Sequence, residues 1–140
     1  MKVAILLVAL AALTSCTPSA QSYVARAADR WQQATGIIDA PPLPTVREAW
    51  GPFWCGKDAV SATGCYAAQT DTITLDMRRP DHDVLRSATH EWGHRRGLPH
   101  FGRGIMGPQQ TYATSYCITR EDLEVLCLVY DCKWQKPECE

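Results

Sequence analysis

The segment His90-Glu91-Trp92-Gly93-His94-Arg95-Arg96-Gly97-Leu98-Pro99-His100 constrains this chain more than any other stretch of it. Two histidines four apart fall on one face of a helix, about one turn from each other, so both imidazoles can reach one ion. Glu91 follows the first of them and points along a neighbouring direction, towards water at the ion rather than the ion itself. Gly97 can adopt a left-handed backbone and end the helix. The chain then swings beneath the pair and offers His100 as a third ligand. Three nitrogen ligands leave a fourth position open, as a catalytic zinc needs, whereas a structural zinc normally has four protein ligands. The expectation is one catalytic zinc on His90, His94 and His100, with Glu91 as general base.

Around this segment the local patterns predict an α+β domain over residues 20–140. Residues from about Ala20 to Thr35 read as a helix, with Tyr23, Val24, Ala27, Ala28 and Trp31 at helical spacing and Gly36 as its stop. Asp39 to Pro44 is a proline-rich connector, and residues 46–60 read as short strand and loop. Cys65–Gln69 and Thr72–Met77 look like two strands around a turn near Asp71, the second alternating Ile73, Leu75 and Met77 with polar residues. Pro80-Asp81-His82-Asp83 signals the start of the histidine-bearing helix, with an Asp available as N-cap. Thr119 opens a last helix reaching about Tyr130, with Leu123, Leu126, Cys127 and Tyr130 on its apolar side.

The N-terminus has a different character. Lys2 precedes an unbroken apolar run, Val3 to Leu13, which is too short to span a bilayer as a folded helix but suits a signal-peptide core. The run ends in Leu13-Thr14-Ser15-Cys16, which resembles the lipobox of bacterial lipoproteins. That resemblance implies a signal peptide over 1–15, acylation of Cys16, a tether over 16–19, and a protein exported but held on a membrane. An ordinary secretory signal is the alternative. Removing the segment takes away one lysine and no acid, so the formal charge moves from −1 to about −2. Basic residues neither dominate nor cluster, so nucleic acid is not an expected partner.

Six cysteines remain once Cys16 is set aside: Cys55, Cys65, Cys117, Cys127, Cys132 and Cys139. An even number in an exported chain reads as three disulfides, and the absence of C-x-x-C spacing argues against a thiolate zinc site. If Thr119 caps a rigid helix, Cys127 lies more than about 10 Å from its start. Bridged Cα atoms lie within about 7 Å. Cys117 is therefore expected to pair with Cys55, Cys65 or the tail at Cys139. The tryptophans Trp31, Trp50, Trp54, Trp92 and Trp134 read as core and surface packing rather than a carbohydrate platform, with Trp92 packed inward.

The eleven-residue motif resembles that of the metzincin zinc peptidases, and Gly104-Ile105-Met106-Gly107-Pro108 resembles their Met-turn. It is most similar to the matrixin-like branch, through Ala88-Thr89, Leu98, Pro108, the Thr119-x-x-Asp122 helix start and the first helix with Trp31. The resemblance implies a small catalytic domain: a twisted sheet with an antiparallel edge strand, a first helix, a zinc-site helix, a Met-turn loop and a C-terminal helix. It implies that Met106 floors the three imidazoles, that Thr72 to Asp76 is the edge strand, and that an extended peptide lies along it. The expected substrate contacts are Thr72, Ile73 and Thr74, with the pocket wall between Pro108 and Tyr112. The expected activity is a zinc endopeptidase, in which Glu91 activates water at the metal.

Departures from that family are equally visible. There is no cysteine-switch propeptide, and no tyrosine two residues after Met106. A structural zinc is not expected because His82 alone lies outside the motif, and calcium is unsupported, since Asp76, Asp81 and Asp83 read as capping and solvating residues. A monomer is expected. Two rival readings stand beside the peptidase: a zinc-stabilised binding or inhibitory lipoprotein without turnover, and an amidase acting on cell-wall peptides.

Overall fold

Ser19 starts the first helix, α1 (Ala20–Thr35), by accepting the Ser22 N–H, and Gly36 closes it. The computed structural model describes residues 17–56, 62–108 and 116–139. The 1–15 segment, Cys16 and Tyr112 lie outside the described residues. Tyr23, Val24, Ala27 and Trp31 form the buried stripe of α1. That stripe packs on the helix α2 (Asp81–Arg95), which carries the histidine motif. The fold is α+β, with three α-helices and one small mixed sheet among the described residues.

The sheet has three strands: β1 (Thr45–Ala49), β2 (Gly64–Ala67) and β3 (Thr72–Asp76), in the order β1-β3-β2. β1 runs parallel to β3, with Val46 opposite Ile73, and β2 runs antiparallel to it, with Tyr66 opposite Ile73. An antiparallel edge strand is therefore present, but it is β2. The expectation that Thr72, Ile73 and Thr74 form a substrate edge is corrected: β3 is central, and both of its sides are occupied by neighbouring strands. Residues 68–70, expected to continue the strand into Gln69, form a 3-10 turn instead.

Two further expectations change. No aspartate caps α2, since Pro80 is the N-cap residue; Asp81 and Asp83 sit in the first turn, where their charge suits the helix dipole. Asp76 is buried rather than solvated, and its carboxylate accepts from the Arg78 guanidinium. The last helix, α3 (Arg120–Tyr130), starts on a Thr119–Asp122 capping box. It buries Leu123 and Leu126 but leaves Tyr130 exposed, contrary to its expected place on the apolar face.

All six cysteines form disulfides: Cys55–Cys65, Cys117–Cys139 and Cys127–Cys132. Cys117 pairs with the tail, one of the three partners its position allowed. That bridge draws residues 137–139 alongside Ile118, whose carbonyl accepts from the Glu138 N–H. Disulfides point to an oxidising, extracytoplasmic setting. Among the described residues no helix is long and apolar enough to cross a membrane.

Candidate metal centre

The end of α2 is shaped by Gly97, whose φ of +86° is a backbone conformation that side chains disfavour. Its N–H donates to His94 O, and the Leu98 N–H donates to Gly93 O, the paired bonds of a Schellman helix stop. Leu98 is buried beneath the turn, and the chain reverses so that His100 returns to the face carrying His90 and His94.

There the three Nε2 atoms converge. His100 Nε2 lies 3.1 Å from His90 Nε2 and 3.0 Å from His94 Nε2. The other nitrogen of each helix ligand is already committed. His90 Nδ1 donates to the Ile105 carbonyl at 2.7 Å, and His94 Nδ1 donates to the Leu98 carbonyl at 2.7 Å. A carbonyl only accepts, so both Nδ1 atoms carry the proton and both Nε2 atoms present lone pairs. His100 has one Nε2 proton at most and faces two lone pairs, so hydrogen bonding cannot satisfy the cluster. A cation at its centre does. Tetrahedral zinc with bonds of about 2.0–2.1 Å places its ligand nitrogens roughly 3.3 Å apart, close to the spacing seen. These three residues can hold a metal ion.

The electrostatics agree with a metal-ready state. Burial pushes His90 down to about 4, against the raising effect of its bond to Ile105, and burial also lowers His94. Both rings are thus neutral at pH 7, the form that binds a metal. Glu91 lies on the same helix but turns towards β2, packed over Gly64, where a Cβ would sit 2.9 Å from its Oε1. Burial pushes its carboxyl up to about 8, opposed by the hydrogen bond that the Tyr66 backbone N–H donates to it. A carboxyl with that affinity for protons is suited to taking one from water and giving it up again.

Met106 is fully buried and packs against Gly93, one residue before His94. A Cβ at Gly93 would collide with the Met106 sulfur and lie 3.2 Å from the Trp31 ring, so this close approach requires glycine. The turn itself is closed by the Gly107 N–H to Gly104 O. It is held from below by Asp122, whose carboxylate accepts the Ile105 N–H at 3.1 Å and the Met106 N–H at 3.3 Å.

The structure thus brings His90, His94 and His100 together, with Glu91 on the same helix against Gly64 and Met106 packed on Gly93. Pro108 is exposed just after the turn, whereas Thr72 and Ile73 are buried within the sheet. Several contributors carry no motif of their own. Trp31 Nε1 donates to the Thr89 carbonyl, and Arg30 reaches Thr89 Oγ1, the Tyr116 carbonyl and Glu138, fixing the helix one residue before His90. For Asp122 the signal was present, because the residue that completes the cap of α3 is the one that grips the turn. Comparison with protein-family models, curated proteins and solved structures gave no significant match.

Proposed function

We propose that the chain is a zinc-dependent endopeptidase of metzincin type, exported and anchored to a membrane through an acylated Cys16. The observation that carries the catalytic part is the convergence of three Nε2 lone pairs on a helix end that also carries a buried carboxyl, Glu91, outside the cluster. A closed structural site has no use for that carboxyl.

Zinc bound by His90, His94 and His100 would supply Lewis acidity, polarising the scissile carbonyl and acidifying water. Glu91 takes a proton from the attacking water as its oxygen adds to the carbonyl carbon. It then delivers that proton to the amide nitrogen as the C–N bond breaks, so the carboxylate is regenerated. Tyr66, through its N–H, orients the carboxylate. Ile105 and Leu98, through their carbonyls, hold the imidazoles in the tautomer that leaves Nε2 available. Met106 and Gly93 keep the base of the site apolar and tightly packed.

The peptide lies along β2 rather than β3. The Asp76 N–H donates to Thr63 O, making Thr63 and Asp76 a hydrogen-bonded pair. Alternation along an antiparallel ladder then turns the N–H and C=O of Gly64 and the C=O of Tyr66 outward, the Tyr66 N–H being taken by Glu91. An extended substrate can add to that edge as a further strand, immediately beside Glu91.

The test is to load the full-length protein with zinc and expose it to a mixed-sequence peptide library, with and without a hydroxamate. Internal cleavage that the hydroxamate abolishes supports the reading. Zinc binding with no cleavage of any peptide would favour a binding protein, and cleavage confined to peptidoglycan stems would favour the amidase.

A further inference from the structure

Two tryptophans stand out of the surface in the loop after β1, the first of them beside the start of α1. Trp50 is 64% exposed and Trp54 62%, although tryptophan is among the costliest side chains to leave in water. Trp50 is positioned by Glu48 at the end of β1, and Trp54 follows four residues on in the same loop. Glu48 Oε1 accepts the Ala20 N–H at 2.9 Å, and its Oε2 accepts the Trp50 Nε1–H at 3.3 Å. One carboxylate therefore ties the first residue of α1 to the exposed indole.

Three residues, Thr17, Pro18 and Ser19, separate Cys16 from Ala20. At about 3.3–3.6 Å per residue, Cys16 stays within roughly 14 Å of the Glu48 carboxylate's partner, Ala20. The proposed attachment at Cys16 is thus a short tether from Trp50, and Trp54 follows in the same loop. An indole carries a large apolar body and an N–H, the combination that favours the boundary between headgroups and acyl chains.

We propose that Trp50 and Trp54 form a membrane-docking surface, which seats the domain on the lipid interface beside its N-terminal attachment. This goes beyond the peptidase reading and rests on the proposed membrane anchor at Cys16. It has a consequence for the site. The 50–56 loop runs from the end of β1 to Cys55, which is bridged to Cys65 in β2. Cys65 lies between Gly64 and Tyr66, the two residues that contact Glu91. The docked surface is therefore covalently joined to the edge strand beside the carboxyl, and peptides lying at the bilayer surface are the substrates it would present.

The experiment uses the full chain, purified from bacterial membranes and reconstituted in phosphatidylcholine vesicles with brominated acyl chains. Neutral lipid isolates the aromatic contribution from charge. Brominated lipid should quench tryptophan emission in the wild type, with more than half of that quenching lost in W50F/W54F and retained in W134F. Quenching that is absent in the wild type, or unchanged in W50F/W54F, overturns the proposal. So does a fall in kcat/KM on a soluble peptide with quenching unchanged, which would assign the surface to substrate. The mass of the Cys16 peptide reports the anchor separately. Quenching with an unmodified Cys16 supports the docking surface and removes the acyl group; an acylated Cys16 without quenching overturns the surface alone.

Discussion

His90 and Asp122 are joined through a single residue: Ile105 accepts the His90 Nδ1–H with its carbonyl and gives its own N–H to the Asp122 carboxylate. Asp122 also accepts from Thr119 N–H and Oγ1, so the cap of α3 and the orientation of a metal ligand share one buried carboxylate. The two motifs, far apart in sequence, form one unit.

Asp122→Asn should therefore weaken metal binding without touching a ligand. One carboxylate oxygen becomes an amide N–H facing backbone donors, and the turn beneath His90 shifts. Zinc affinity should fall about 10–100-fold, the usual effect of disturbing a ligand's hydrogen-bond partner. A competition titration against a chromogenic chelator reads this directly; unchanged affinity would remove Asp122 from the site.

Gly93→Ala should destabilise the fold by about 1–3 kcal/mol, as overpacking does. The new methyl meets the Met106 sulfur and the Trp31 ring. Pairing it with Met106→Ala should recover part of the loss, because the larger clash disappears. A double-mutant cycle in urea measures the coupling.

The metal-free protein should respond to pH through Glu91 and His90 in opposite senses. The folded Glu91 carboxyl is raised from 4.5 to about 8, so its contribution to stability is fully present below 4.5 and is lost as pH rises through 8. His90 is lowered from 6.5 to about 4, so its contribution is present above 6.5 and lost as pH falls through 4. Glu91→Gln should accordingly remove the alkaline loss and leave the acid one. At pH 7 zinc binding should also release close to one more proton from the wild type than from Glu91→Gln, since the cation favours the carboxylate. Calorimetry in buffers of different ionisation enthalpy tests that difference.

Replacing Cys117 and Cys139 by serine should lower stability more than replacing Cys127 and Cys132. The first bridge spans 22 residues and the second 5. Loop entropy assigns them about 3 and about 2 kcal/mol. The first also holds Glu138, which accepts from Arg30 and from the Ile118 N–H. Thermal unfolding under non-reducing conditions compares the two.

The cluster of His90, His94 and His100 was legible in the sequence because every constraint on it is local: one helix face, one helix stop and one short return. The cap of α3 was legible for the same reason. The edge of the sheet was not. Thr72–Asp76 alternates as a half-exposed strand would, yet its second face is covered, and Asp76 is buried by pairing with Arg78. Whether a strand is central or marginal depends on which distant segment pairs with it, and Thr45–Ala49 carries little apolar signal of its own. The exposure of Trp50 and Trp54 was likewise not legible, because a residue's exposure is decided by what folds over it. The link between Ala20 and Trp50 through Glu48 appears only in three dimensions.

The most direct measurement is the zinc content and peptide-cleavage rate of Glu91→Gln, made beside His94→Ala. Glu91 is not a ligand, so Glu91→Gln should retain one zinc per chain while cleavage falls at least about 100-fold, the lower range for loss of a general base. His94→Ala should lose both metal and activity. Cleavage by zinc-loaded Glu91→Gln at the wild-type rate would contradict a catalytic role for the carboxyl.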